Sequence, residues 1–315
     1  MKCDIIDNTR LGDFFAEQLG SWEFVSQSYG VLQHADMRTV TAGGIEFKLQ
    51  HNGGRMNSVA ANTSPVRQTG ACILCRDNRP AEQMSLDFNN RYDLLVNPYP
   101  VFSRHFTIVA REHTPQSLAG RLGDMLLFAR NADEYTAFYN GSGCGASVPG
   151  HMHFQAGERG VLPLERDWDK LRGMYGREIF SDNGLSVTTL AGCCISPVVF
   201  ESGDMAVITD SVYGFIRVLP QKESMVNITA SCTNGKYTVW VYPRIAHRPS
   251  CYYSEEGCKR LVSPAAVEAS GLLILPRKDD YENITAAEIS GIFGEVSLSG
   301  EGTYNACVKW LETLG

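Results

Sequence analysis

Two groups of residues in this chain have types and spacings suited to chemistry. The first is His151, His153 and Gln155. Alternate side chains of a strand share a face, so a strand here lines up two imidazoles and a carboxamide in steps of about 6 to 7 Å, with Met152 and Phe154 turned toward the core. A neutral imidazole nitrogen is nucleophilic near pH 7 and attacks phosphorus directly. Just upstream runs Asn140-Gly141-Ser142-Gly143-Cys144-Gly145-Ala146-Ser147. Glycines let backbone N–H groups approach phosphate oxygens without side-chain clash. A lone His-x-His is more often a pair of histidines on a solvated strand face. Behind this turn, and followed by Gln155, it points to a phosphate site.

The second group is Cys72-Ile73-Leu74-Cys75. Such a pair can hold one side of a tetrahedral zinc site that histidines complete; a thiol redox pair and plain core packing are the other readings. His105 and His113 follow on a strand pattern, with His113 at its end, where rigid elements would fix a ligand. Among the cations, Arg55 is suited to a phosphate or base and equally to a solvated surface. Arg244, His247 and Arg248 divide evenly between facing phosphate and forming a salt-bridged surface loop.

The elements that must position these groups are legible in outline. Leu11, Phe14, Phe15 and Leu19 recur at helical spacing, and the stretch after them to residue 35 reads as aromatic and loop-like. Residues 45–50 read as a strand. Residues 92–97 and 105–111 read as two strands around a bend, because Pro98 and Pro100 interrupt the run. Thr114-Pro115 has the form of a helix start, with Thr at the N-cap and Pro at N1, before an apolar stripe at Leu118, Leu122, Met125, Leu126 and Ala129. Residues 135–140 return to strand character. In the second half, Asn234-Gly235 predicts a type I′ hairpin turn. Ser263-Pro264 opens a short helix closed by Gly271, and 272–275 is apolar. This partly repeats the layout of the first half. The boundary is drawn near 185, in the polar stretch 181–184. That gives a catalytic half, 1–185, carrying the zinc site, and a half, 186–315, that completes it. Hairpins mixed with helices predict an α+β fold with antiparallel sheets and flanking helices.

Composition narrows the function. The chain has 315 residues, 43% of them hydrophobic, enough for a sizeable core, and a formal net charge of -7. That balance argues against nucleic acid as the main partner, since phosphate backbones demand a cationic surplus. No run approaches the roughly 18 to 20 apolar residues of a membrane span, and the start does not look like a signal peptide. The ten cysteines are spread along a long chain, which fits reduced thiols and a cytoplasmic protein better than a disulfide frame.

Taken together, Cys72–Cys75, Asn97-Pro98-Tyr99-Pro100-Val101-Phe102, 105–109, Glu112-His113, Asn140-Gly141 and His151-x-His153-x-Gln155 resemble the galactose-1-phosphate uridylyltransferase branch of the histidine-triad superfamily. Within that branch the chain is most similar to GDP-L-galactose phosphorylase-like proteins. The match is good over 45–160 and thinner over 225–285, where Arg244, His247 and Ser263-Pro264 carry it. The resemblance implies two histidine-triad-like halves. It implies that His153 is the nucleophile attacking the α-phosphorus of a nucleoside diphosphate sugar, and that Cys72, Cys75, His113 and His151 bind structural zinc. Gln155 would support the phosphate of a nucleotidyl-histidine intermediate; hydrolases of the superfamily carry a third histidine there, so Gln155 favours transfer over hydrolysis. Asn140, Gly141 and Ser147 would contact phosphate, and Asn97 the ribose or base. One departure stands out: the family's serine lies five residues before the nucleophile, whereas Ser147 lies six before His153.

The expected activity is therefore nucleotidyl transfer from an NDP-sugar to inorganic phosphate, a phosphorylase of GDP-hexose type, in a monomer or homodimer. Transfer to a sugar 1-phosphate is the alternative within the enzyme class. A zinc-stabilised nucleotide-binding module without turnover is the alternative outside it.

Overall fold

A computed structural model of the chain describes residues 6–53, 71–255 and 257–314. The chain opens with helix α1 (Asn8–Ser21), capped by the Asp7 carboxylate, which accepts from the Arg10 N–H. Helix α2 (Glu23–Gln33) follows. The segment after residue 22 is thus helical rather than loop-like. Val25 and Tyr29, one turn apart, are buried, and the Tyr29 ring packs edge-on against Phe15. A hairpin of β1 (Met37–Ala42) and β2 (Ile45–His51) comes next.

The first half of the main sheet contains β3 (Leu86–Phe88), β4 (Tyr92–Val96), β5 (His105–Ala110), helix α3 (Leu122–Asn131), β6 (Tyr135–Asn140) and β7 (His153–Glu158). Short helices α4 (Pro163–Arg166) and α5 (Trp168–Tyr175) lead to β8 (Gly176–Asp182), β9 (Leu185–Leu190), β10 (Val198–Ser202), helix α6 (Met205–Val218), β11 (Val226–Thr233) and β12 (Lys236–Pro243). The chain closes with α7 (Ala266–Ala269), β13 (Leu272–Leu275), α8 (Lys278–Asn283), α9 (Ala286–Val296) and α10 (Gly300–Glu312).

Ten strands form one sheet in the order β3-β4-β5-β7-β6-β11-β12-β10-β9-β8, with every neighbouring pair antiparallel. Read inward from either edge, the two halves repeat one plan. Three strands form a meander, a helix crosses, and two further strands return with the last inserted beside the third. The halves meet at β6 and β11. We propose that they divide between β7 and β8, because the polar stretch 181–184 forms the turn of the β8–β9 hairpin. The Asn234-Gly235 turn has φ of 51° and 78°, the positive pair that a type I′ turn requires, and it joins β11 to β12.

Two expected helix starts move. Helix α3 begins at Leu122, not at Thr114-Pro115. The Thr114 carbonyl accepts from the Met152 N–H at 2.7 Å, and Gly120 has φ +67°. The chain follows the sheet there before it can turn. Likewise α7 starts at Ala266, and Gly271 at φ +95° ends it.

The sheet separates two hydrophobic layers. One face, with Tyr92, Ile108, Phe154, Ala156, Val187 and Phe200, packs against α1, α2, α3, α6 and α10. Phe154 lies edge-on to Tyr92, with ring centroids 5.5 Å apart. The other face of the second half is covered by the small sheet β1-β2-β13 and by α9, through Phe47, Leu49, Val199, Trp240, Leu273 and Phe293. On the first half that same face carries polar rows instead. Asp93, Val109 and His153 pair across β4, β5 and β7, and Leu95, Thr107 and Gln155 form the next row. Those polar groups, on a face that the hydrophobic layers leave to them, are where a site can be built.

Candidate active site and metal centre

His153 opens β7, and its backbone is clamped by a side chain. Gln116, buried, accepts from the His153 N–H through Oε1 and donates through Nε2 to the carbonyls of both His153 and Asn140, each at 2.9 Å. The β6–β7 register, Tyr135↔Glu158 to Phe138↔Gln155, would set Asn140 opposite His153. At that level the Gln116 carboxamide sits between the strands, and both side chains stay on the polar face. The His153 Nδ1 lies 2.8 Å from the His151 carbonyl. A carbonyl only accepts, so Nδ1 carries the proton and the lone pair is on Nε2. Burial pushes the imidazole down to about 4, against the opposing pull of the His151 carbonyl, so the ring is neutral at neutral pH. Nε2 takes no hydrogen bond among the described residues.

Gln155 is oriented in the same way. The Val101 N–H donates to His105 Nδ1 at 3.3 Å, which leaves His105 Nε2 protonated and donating to Gln155 Oε1 at 3.1 Å. Asn97 Nδ2 reaches the same oxygen at 3.3 Å. With Oε1 taken, the Gln155 amide N–H₂ is the end presented outward. Asn97 itself is committed: Nδ2 also donates to Thr107 Oγ1, and Oδ1 accepts from the Tyr99 N–H. Its side chain holds the Pro98–Pro100 bend and Gln155. Beside that bend Phe24, Val31, Pro98, Tyr99, Pro100 and Asn52 line a cavity of about 220 Å³.

The glycine-rich turn differs from expectation. The Gly141 N–H is bonded to the Val226 carbonyl and the Gly143 N–H to that of Ser224, while the Cys144 and Ala146 N–H groups return to Gly141. A Cβ at Gly141 would lie 2.5 Å from the Ser224 carbonyl oxygen. This glycine serves the close passage of residues 223–225, and its N–H is not offered to a phosphate. Ser147 is exposed at the far end of the turn. Asn140 is buried: its Oδ1 accepts from Asn227 Nδ2 at 2.9 Å and from the Ala266 N–H at 2.8 Å.

Arg244 is neither phosphate-facing nor in a salt-bridged surface loop. It is 2% exposed, and its guanidinium donates to the carbonyls of Val296, Pro264, Ala246 and His247 and to Asn227 Oδ1. His247 is half-buried, with its Nε2 sealed and unpartnered among the described residues. Arg248 is also buried, stacked 4.2 Å over Tyr252. Arg55 lies outside the described residues.

The four residues expected to bind metal come together. Cys72, Cys75, His113 and His151 present one ligand atom each, all within 4.8 Å of one another. Sγ of Cys72 is 3.3 Å from Nδ1 of His151, and Sγ of Cys75 is 3.2 Å from Nδ1 of His113 and 3.6 Å from Nδ1 of His151. Zn–S and Zn–N bonds of about 2.3 and 2.1 Å at tetrahedral angles give S···N edges of about 3.6 Å, so these residues fit zinc. His151 Nε2 donates to the Ala110 carbonyl at 2.7 Å, which turns the Nδ1 lone pair toward the thiols. His151 precedes the strand proper. Its ring goes to the cysteines, so it does not share a strand face with His153 and Gln155.

One carboxylate, unforeseen from the sequence, ties the two sides of this centre. Asp93, 2% exposed, accepts from Arg79 at 2.8 Å and from Arg111 at 3.0 Å. Arg79 also holds the Leu74 carbonyl, inside the Cys-x-x-Cys turn, through two N–H groups. Arg111 stands two residues before His113. Burial raises the Asp93 carboxyl, but hydrogen bonds from Arg79 and Arg111 outweigh it and hold it below the usual carboxylate range. A depressed carboxyl contributes stability that is present above the unfolded value, about 3.9, and lost as pH falls through the folded value. Asp93→Asn is therefore expected to be less stable than wild type above about pH 4, to approach it as pH falls below that value, and to give up zinc to a chromophoric chelator about tenfold more readily. Metal retention equal to wild type would show that the carboxylate does not brace the ligands.

Comparison with known proteins bears on both halves. Residues 14–158 match a family model described as a domain of unknown function, DUF4922. Residues 173–312 match the model described as GDPGP1-like, C-terminal domain. GDP-L-galactose phosphorylase 2 of Arabidopsis thaliana is 27% identical over 233 residues, covering 69% of this chain and 51% of that protein. GDP-L-galactose phosphorylase 1 of the same plant is 25% identical over 237 residues, covering 70% and 50%. The chain thus spans about half the length of these curated relatives. Among solved structures, yeast Ap4A phosphorylase Apa2 superposes with a TM-score of 0.54 at 16% identity, covering 87% of this chain and 96% of that one. Its complex with Ap4A gives 0.52 at 15% identity, covering 85% and 94%. This likeness shows the fold: α+β, with an antiparallel main sheet and flanking helices, while in the small sheet β13 runs parallel to β2. No described helix is long and apolar enough to cross a membrane.

Proposed function

We propose that the protein transfers a nucleotidyl group from an NDP-sugar of GDP-hexose type to inorganic phosphate through a nucleotidyl-histidine intermediate. The observation that carries this reading is the pairing of two oriented groups on one sheet face. His153 presents a lone pair at Nε2, and Gln155 presents an amide N–H₂ whose oxygen is already occupied. The lone pair on Nε2 attacks the α-phosphorus, the bond to the bridging oxygen breaks, and sugar 1-phosphate leaves with that electron pair. An oxygen of inorganic phosphate then attacks the same phosphorus, the P–N bond breaks, and NDP departs with His153 restored. The amide N–H₂ groups of Gln155 and Asn140 donate to the phosphoryl oxygens as charge builds there. The cavity lined by Phe24 and Tyr99 offers aromatic surface to a base. The names of the Arabidopsis relatives support phosphate as acceptor and a GDP-sugar as donor.

Zinc would be held by Cys72, Cys75, His113 and His151. With four protein ligands it supplies structure rather than an open coordination position. The chain's part is to brace His151, whose carbonyl orients the His153 ring.

Incubation with GDP- and UDP-hexoses tests the acceptor. NDP release that requires phosphate is the expected result. Exchange that requires a sugar 1-phosphate, with none on phosphate, would replace the phosphorylase by the uridylyltransferase type. Nucleotide binding with no turnover and no protein adduct would leave a binding module.

A further inference from the structure

Asn140, Asn227 and Arg244 form a chain of hydrogen bonds that all donate in one direction. Arg244 Nη1 donates to Asn227 Oδ1 at 2.6 Å. Asn227 Nδ2 donates to Asn140 Oδ1 at 2.9 Å and to the Cys144 carbonyl at 2.8 Å. The amide orientations follow from groups that can only donate. The guanidinium fixes the Asn227 oxygen, and the Ala266 backbone N–H fixes the Asn140 oxygen. Asn140 then has one polar end left, its Nδ2, which donates no hydrogen bond among the described residues. Asn227 is fully buried and Arg244 nearly so. No carboxylate forms an ion pair with Arg244 among the described residues; its charge is met by five hydrogen-bond acceptors and, at longer range, by the Glu268 carboxylate. A buried cation facing a row of aligned amides favours an anion at the far end.

We propose that Asn227 and Arg244, both from the second half of the sheet, are positioning residues that set the Asn140 amide with its N–H₂ toward the transferring phosphoryl group. Neither touches substrate. This rests on the nucleotidyl-transfer reading only in naming the phosphoryl group as the acceptor. It also explains what the second half contributes to a nucleophile that lies in the first.

The decisive variant is Asn227→Asp. The carboxylate accepts from Arg244 and forms an ion pair with it, so the fold has a reason to survive. It has no hydrogen to give Asn140 Oδ1 and sets a carboxylate oxygen against it, a repulsion that only the Ala266 N–H opposes; turning the Asn140 amide over relieves it, with Nδ2 donating to the carboxylate and the oxygen presented to phosphate. The expected result is a rate of protein labelling from α-phosphorus-labelled GDP-hexose that falls about 10²-fold, the cost of one lost donor, with the melting temperature near that of wild type. A merely structural Asn227 would move the melting temperature and not the rate. Wild-type labelling in a folded Asn227→Asp protein overturns the proposal.

If that variant does not fold, or the wild type takes no label, the side-chain amide signal of Asn140 in ¹⁵N-labelled wild-type protein decides, with Asn140→Ala to assign it. Addition of GMP is expected to shift that signal; an unmoved signal at saturating GMP overturns the inference. An unlabelled wild type whose Asn140 amide still responds to GMP would sink the transfer reading and leave the relay standing.

Discussion

His153→Ala is expected to take no label from α-phosphorus-labelled NDP-hexose and to lose turnover by roughly 10⁴- to 10⁶-fold, as when a covalent catalyst loses its nucleophile or that nucleophile's partner. The size of the loss follows from what the neighbouring imidazoles are doing. His151 has its Nδ1 turned to the thiols and its Nε2 on the Ala110 carbonyl. His105 has both nitrogens engaged, by the Val101 N–H and by Gln155. Neither can stand in for Nε2 of residue 153. The variant keeps the Gln116 clamp, which holds main chain only, so it should fold and retain metal. Acid-labile label persisting on His153→Ala would place the nucleophile elsewhere.

The second large effect is on the metal. The purified protein should carry one zinc per chain, and Cys72→Ser should lose it. Zinc at about a thousandfold over its dissociation constant stabilises by about 4 kcal/mol. In a chain of 315 residues that corresponds to a melting temperature lower by about 6 °C on removal. Elemental analysis and thermal unfolding check both numbers. The outcome that sinks the metal reading is a zinc-free protein with an unchanged melting curve and a reversible Cys72–Cys75 disulfide, which would make the pair a redox dithiol.

The metal set was legible because its parts are chemically rare and sit beside turns and strand ends. Cys-x-x-Cys, a histidine closing a strand and His-x-His leave few partners to choose among, and the resemblance selected His113 over His105. What the sequence hid were ordinary polar residues placed by tertiary contacts. Gln116 sits in what reads as a helix start, yet its carboxamide is inserted between two strands. Asn227 alternates with Val226 and Ile228 like any half-buried strand residue. Asp93 reads as a solvated strand position, although two arginines converge on it. Arg244 misled for the opposite reason: a cation in a loop suggests solvent or phosphate, and nothing local reveals that four carbonyls surround it. The glycines of 141–145 announced a tight approach correctly, but the approaching groups are the protein's own backbone at 223–224 and the Met225 and Ala265 side chains.

The seam between the halves has a mechanical consequence. Residues 137–140 of β6 pair directly with 227–230 of β11, so the join lies in the middle of an unbroken sheet, not in a flexible neck. Two lobes welded along hydrogen-bonded strands have no fulcrum and cannot clamp a ligand by swinging. Any opening and closing over the site would then fall to the connections that rim the sheet, while His153 and Gln155 sit on one continuous hydrogen-bonded platform.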